Sequence, residues 1–71
     1  MSNNPTWDQI KGAWKQITGK VREEWGDLTD DEIMQMNGER DQLVGKIQQK
    51  YGMAREDAQR QVDEWSRRVR W

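Results

Sequence analysis

A chain of 71 residues, 32% hydrophobic and 35% charged, lies at the hydrophilic edge of globular composition, and one small core can supply roughly 3–5 kcal/mol of stability. Five Trp tip the balance toward a folded domain, because each indole removes a large apolar area from water. With 12 Lys and Arg against 13 Asp and Glu, the net charge of −1 gives no generic attraction to nucleic acid or acidic membranes, and the absence of Cys excludes disulfides and thiolate metal sites.

The charge is uneven. Residues 1–38 carry four basic and seven acidic side chains, a balance of −3, and residues 39–71 carry eight basic and six acidic, a balance of +2. The first residues, MSNNPTWDQ, have neither a basic start nor an apolar run, and no stretch approaches the ~20 apolar residues of a membrane span. The expectation is one cytoplasmic domain over 1–71, with 1–5 and 69–71 frayed and no membrane partner.

Thr6 is a candidate N-cap for a first helix, whose apolar positions fall at Trp7, Ile10, Trp14, Ile17, Val21 and Trp25. Steps of three and four residues place these on one helical face. Gly12 and Gly19 each cost about 1 kcal/mol relative to Ala, so a break near Gly12 is expected, with 13–25 as the firmer segment and Gly26 closing it. Thr29 and Glu32 then have capping-box spacing for a short second helix over 30–37, which presents Ile33 and Met36 and stops at Asn37-Gly38. A third helix runs from Glu39 to Gly52 with Leu43, Val44, Ile47 and Tyr51 inward. The last runs over 54–68, with Ala58, Val62, Trp65 and Val69 on its inner face. Asp63–Arg67 and Glu64–Arg68 are i,i+4 pairs in the favourable order.

The chain also echoes itself at an offset of 26 residues. GKVREEWG, from Gly19 to Gly26, is answered by GKIQQKYG, from Gly45 to Gly52. Gln9, Gly12, Gln16, Gly19, Lys20, Gly26 and Asp31 meet identical residues, and most apolar positions pair as well; Trp14, which meets Arg40, is the exception. This register implies two equivalent helical hairpins related by a pseudo-twofold, although two copies are fewer than repeat architectures normally show, and helical spacing alone makes amphipathic segments look alike. If the long helices cross where Gly19 and Gly45 lack side chains, Gly45→Leu should destabilise the fold.

The strings WDQIKGAWKQITGKVREEWGDLTDDEI, ERDQLVGKIQQKYG and EDAQRQVDEW together resemble the CsbD-like family of small bacterial general stress-response proteins, over about residues 7–65. The resemblance implies an all-α bundle of four or five short helices, two hairpins packed at a steep angle in a SAM-like arrangement, in a stress-induced protein. It brings no catalytic residues. Where such proteins usually cap the last helix with Ser or Thr, this chain has Met53-Ala54, which implies a weaker cap.

The residues give little support to catalysis, and no catalytic, cofactor-binding or metal site is expected. There is no His, and Ser2, Thr6, Thr18, Thr29 and Ser66 have no general base at motif spacing. Asp27, Asp30, Asp31 and Glu32 lack calcium-loop spacing and are explained by capping and the helix dipole. Trp7, Trp14, Trp25 and Trp65 could form a stacking platform for a ligand, but their spacing marks them as core, and no small-molecule substrate is expected. Gly52-Met53-Ala54 resembles faintly the turn of a helix-hairpin-helix, with Arg55, Arg60, Arg67, Arg68 and Arg70 nearby. The second glycine of that turn is missing and the first half is acidic, so nucleic acid is disfavoured. The tail from Arg67 to Trp71 is too short to anchor to a membrane alone. The expected role is a hydrophilin-like protectant, with a helical adaptor for an unknown protein partner as the rival.

Overall fold

The computed structural model describes residues 7–69 as five helices: α1 (Trp7–Gly12), α2 (Trp14–Glu24), α3 (Asp30–Gln35), α4 (Arg40–Tyr51) and α5 (Arg55–Arg68). No strand occurs among these residues, and the all-α small bundle read from the periodicity is the observed class. The expected Thr6 cap and the expected fraying at 1–5 and 70–71 lie outside the described residues. Val69, expected to fray, is instead 6% exposed and packs on the core.

The break expected near Gly12 is a single residue of turn at Ala13, with φ −101° and ψ 15°. Its amide donates to both Gln9 O at 3.0 Å and Ile10 O at 3.2 Å, and its carbonyl accepts from Gln16 and Ile17. Hydrogen bonding is therefore carried across the kink, so Ile10 of α1 and Trp14, Ile17 and Val21 of α2 all enter one core. The end of α2 differs from expectation. Trp25 leaves the helix with φ −126° and ψ 81° and donates its amide to Val21 O, and Gly26 is not left-handed. The non-helical backbone of Trp25 does the terminating, so no glycine-specific conformation is required there. Gly52, by contrast, ends α4 at φ 64°, and Asn37 at φ 52° with Gly38 at φ 79° ends α3 and turns the chain into α4.

The principal helix–helix contacts are α2 with α3 and α4 with α5, two hairpins, with α1 joined to α2. Shifting α2 by 26 residues puts its ends at 40 and 50, against the observed Arg40 and Tyr51 of α4. The glycines between them do not mark a crossing. A Cβ at Gly19 or Gly45 would meet nothing within 4 Å, which overturns the expected close approach and with it the expectation that Gly45→Leu destabilises through a clash. The close approach is at Gly38, which is buried: a Cβ there would stand 2.7 Å from Lys11 Cγ and 2.9 Å from Lys11 Cα. Here α1 lies directly against the α3–α4 turn.

The four inner Trp knit the elements together. Trp14, Trp7, Trp65 and Trp25 form a continuous run of tilted rings, with centroid separations of 6.3, 6.3 and 5.4 Å. Three of their indole N–H groups find acceptors on other elements: Trp7 donates to Gly38 O at 2.7 Å, Trp14 to Ile33 O at 2.7 Å, and Trp25 to Gln61 Oε1 at 3.0 Å. Each buried polar handle is thus satisfied while its ring fills the core, which removes the cost of leaving an indole N–H unpaired. Leu28, in the α2–α3 loop and 1% exposed, joins this core although it lies outside any helical stripe. Tyr51, expected inward by analogy with Trp25, is 39% exposed, and its hydroxyl accepts from Asp27 N at 3.1 Å. It holds the loop after α2 from outside.

Candidate functional site

Among the described residues, the side-chain hydroxyls of Thr and Ser are occupied by the fold. Thr18 donates to Lys15 O at 3.4 Å, Ser66 donates to Asp63 O at 2.7 Å, and Thr29 serves the N-terminus of α3. The capping box read from the sequence is present in both directions: Glu32 N donates to Thr29 Oγ1 at 3.1 Å and Thr29 N to Glu32 Oε1 at 2.9 Å. The other carboxylate oxygen of Glu32 faces Lys50 Nζ at 3.1 Å and Lys46 Nζ at 3.6 Å. The Thr29 amide first, and then Lys50, hold its carboxyl well below the usual range, at about 2. Glu32 therefore ties the start of α3 to the outer face of α4.

The acidic stretch from Asp27 to Glu32 is dispersed among structural partners: Asp30 meets Arg22 at 3.0 Å, and Glu32 is engaged as above. Among the described residues, no three His, Cys, Asp or Glu side chains gather in a geometry for a metal ion. Of the Trp set, Trp14, Trp25 and Trp65 are core, as their spacing indicated, and Trp7 is partly buried against them. Trp14, Trp25 and Trp65 are at most 4% exposed, so their faces are committed to one another and are not open to a stacking ligand.

The arginines near the Gly52 turn are largely matched by carboxylates. Arg55 faces Asp41 at 3.7 Å, Arg60 faces Asp57 at 2.9 Å, and Arg68 faces Glu24 at 2.7 Å. The i,i+4 pairs expected on α5 do not form. Asp63 instead meets Arg40 of α4 at 2.6 Å, and Arg68 reaches Glu24 of α2 at 2.7 Å, so both carry α5 to other elements. At the start of α5, Ala54 occupies the N-cap with no side-chain hydrogen bond, and Glu56 and Asp57 stand in the first turn, where they repel a phosphate. Arg70 and Trp71 lie outside the described residues.

A groove of about 390 Å³ opens beside the Ala13 kink, lined by Lys11, Gly12, Ala13, Trp14, Lys15, Gln16, Met34 and Asn37. Lys11 is held at one side by Glu39 Oε1 at 2.6 Å, and that hydrogen bond with its charge raises the ammonium above its ordinary pKa. Met34 is 45% exposed, and it and Tyr51 are the exposed large hydrophobic residues of the described chain. Sequence reasoning passed over this groove. Its one signal was the failure of the 26-residue echo at Trp14.

Among the described residues, no helix is long and apolar enough to cross a membrane. The CsbD-like family profile matches residues 8–60. The chain is 49% identical over 65 residues to UPF0337 protein Atu4724 of Agrobacterium fabrum, covering 92% of this chain and 97% of that protein. It is 52% identical over 66 residues to UPF0337 protein YjbJ of Escherichia coli O6:H1, with 90% and 96% covered. UPF0337 protein PA4738 of Pseudomonas aeruginosa is 50% identical over 62 residues, with 87% and 95% covered. A family profile spanning most of the chain, together with near-complete alignment at about half identity, shows that this protein belongs to the CsbD-like family.

Proposed function

We propose that this protein is a non-enzymatic stress-response protein that acts by abundance, as a hydrophilic protectant of other macromolecules. The observation that carries this reading is the partition of the chain between inside and outside. Among the described residues, most apolar side chains are gathered into one buried cluster, no buried side chain is charged, and Met34 and Tyr51 are the large hydrophobics left exposed. A mean hydropathy of −1.31 is therefore expressed almost wholly on the surface. Acidic and basic groups are interleaved there in pairs that bridge elements, from Lys11–Glu39 to Arg68–Glu24. Such a surface offers no large contiguous apolar patch to other molecules and keeps its charged groups in water around whatever it crowds. The CsbD-like membership supports the stress context.

Drying a labile enzyme such as lactate dehydrogenase with this protein, and with an equal mass of serum albumin, tests the reading. Greater recovery of activity with this protein is the expected result, and recovery no better than with albumin refutes it. A partner-binding adaptor is the second reading, favoured by the groove at Ala13 and Met34. Nucleic acid is disfavoured by the carboxylates that face Arg55, Arg60 and Arg68.

A further inference from the structure

The two halves of the chain part company where the groove beside Ala13 forms. In the 26-residue register, Ala13, Trp14 and Lys15 correspond to Glu39, Arg40 and Asp41, and Met34 corresponds to Asp8. One half has three charged side chains where the other has a methyl, an indole and an ammonium. The exposed thioether of Met34 likewise replaces a carboxylate. Core packing does not call for Met34: its neighbour Ile33 is wholly buried while Met34 is 45% exposed. The accessible apolar part of the floor, Ala13 and Met34, thus stands at positions where the other half carries charge.

The charged side chains that line the floor, Lys11 and Lys15, are both basic, with Glu39 outside the lining against Lys11. No carboxylate lines this groove, whereas the two grooves beside Arg68 both carry Glu24. Lys11 is engaged by Glu39, but among the described residues no carboxylate lies within ion-pair distance of the Lys15 ammonium. We propose that this groove docks a peptide segment of a partner protein in which Asp or Glu lies beside a large apolar side chain. The partner's carboxylate meets Lys15, and its apolar side chain packs on Met34 and Ala13. A volume of about 390 Å³ accommodates such a side chain and the backbone next to it. The flexible thioether of Met34 adapts to branched or aromatic shapes. Among the described residues lining the groove, Lys15 alone is a cation without a carboxylate partner, too few for a nucleic acid, whose affinity is built from several phosphate contacts, and one exposed Met offers too little apolar area for a bilayer. This inference goes beyond the protective reading and does not rest on it.

The test is selection of random linear peptides displayed on phage against the full chain, followed by titration of synthetic versions into the ¹⁵N-labelled protein. The expected result is enrichment of Asp or Glu next to Leu, Ile, Met or Phe, with amide shifts confined to residues 11–16, 34 and 37. Met34→Asp, which installs the residue of the other half, and Lys15→Glu should each weaken binding by roughly tenfold or more. Both positions are exposed, and far-UV circular dichroism checks that the variants fold; should one fail, the other carries the comparison. Enrichment of no such motif, shifts on another face, or affinity indifferent to both substitutions overturns the proposal. So does movement of the same resonances by oligothymidylate or phosphatidylserine vesicles and not by the peptides.

Discussion

Replacing Gly38 by Ala should be the most damaging one-carbon change in this fold. Two costs add. At φ 79° the backbone is left-handed, which an L-residue adopts at about 1–2 kcal/mol. The new Cβ would also stand 2.9 Å from Lys11 Cα, a backbone atom that can move only if α1 moves, and overpacking of this kind costs about 1–3 kcal/mol. Shifting α1 would in addition loosen the Trp7 indole from Gly38 O, now 2.7 Å away. The sum, about 2–5 kcal/mol, matches most of the roughly 3–5 kcal/mol that a core of this size provides. Since 1 kcal/mol moves Tm by about 4–8 °C in a domain of this length, Gly38→Ala should lower Tm by at least ~8 °C, read by far-UV circular dichroism and Trp fluorescence. Gly45→Ala is the control. It is helical with nothing within 4 Å of the added carbon, so propensity alone should raise stability by about 1 kcal/mol. A Gly38→Ala variant that melts with the wild type, or a Gly45→Ala variant that melts well below it, refutes this assignment of the close approach.

Two further substitutions probe helix ends. Ala54 sits at the N-cap of α5 in extended backbone, at φ −67° and ψ 153°, with no side chain to accept an amide; Ala54→Ser should raise the urea midpoint by the equivalent of about 1 kcal/mol, and an unchanged midpoint contradicts it. Glu32 has a folded-state pKa of about 2 against an ordinary 4.5, so its stabilising contribution is fully present above pH 4.5 and is lost as pH falls toward 2. Glu32→Gln should therefore lower Tm at neutral pH and flatten the fall in Tm between pH 4.5 and 2; an acid limb identical to that of the wild type would show that the carboxylate is not held in this way.

Periodicity revealed what depends on one helix at a time. The stripe from Ile10 to Val21, the Thr29–Glu32 box and the stops at Asn37-Gly38 and Gly52 are local, and all appear where the sequence places them. What the sequence hid depends on two elements meeting. Gly12 and Gly38 are equivalent in the echo, yet one is open and the other crowded, because only Gly38 lies under α1. Trp25 and Tyr51 are equivalent too, but α5 supplies Trp65 and Gln61 to cover Trp25, while Tyr51 is turned out to the Asp27 amide. Arg68 bonds Glu24 of α2 and not Glu64 of its own helix for the same reason. The groove at Met34 was invisible because its floor is assembled from α1, α2 and α3 across the Ala13 kink.

The central functional claim is protection by a charged, non-adhesive surface, and drying two unrelated enzymes over a series of added masses tests it most directly. Wild type and Met34→Asp should protect both enzymes alike, in proportion to mass and beyond serum albumin, because the claim rests on the whole surface and not on one groove. Recovery no greater than with albumin, or protection of one enzyme alone that Met34→Asp abolishes, would contradict it.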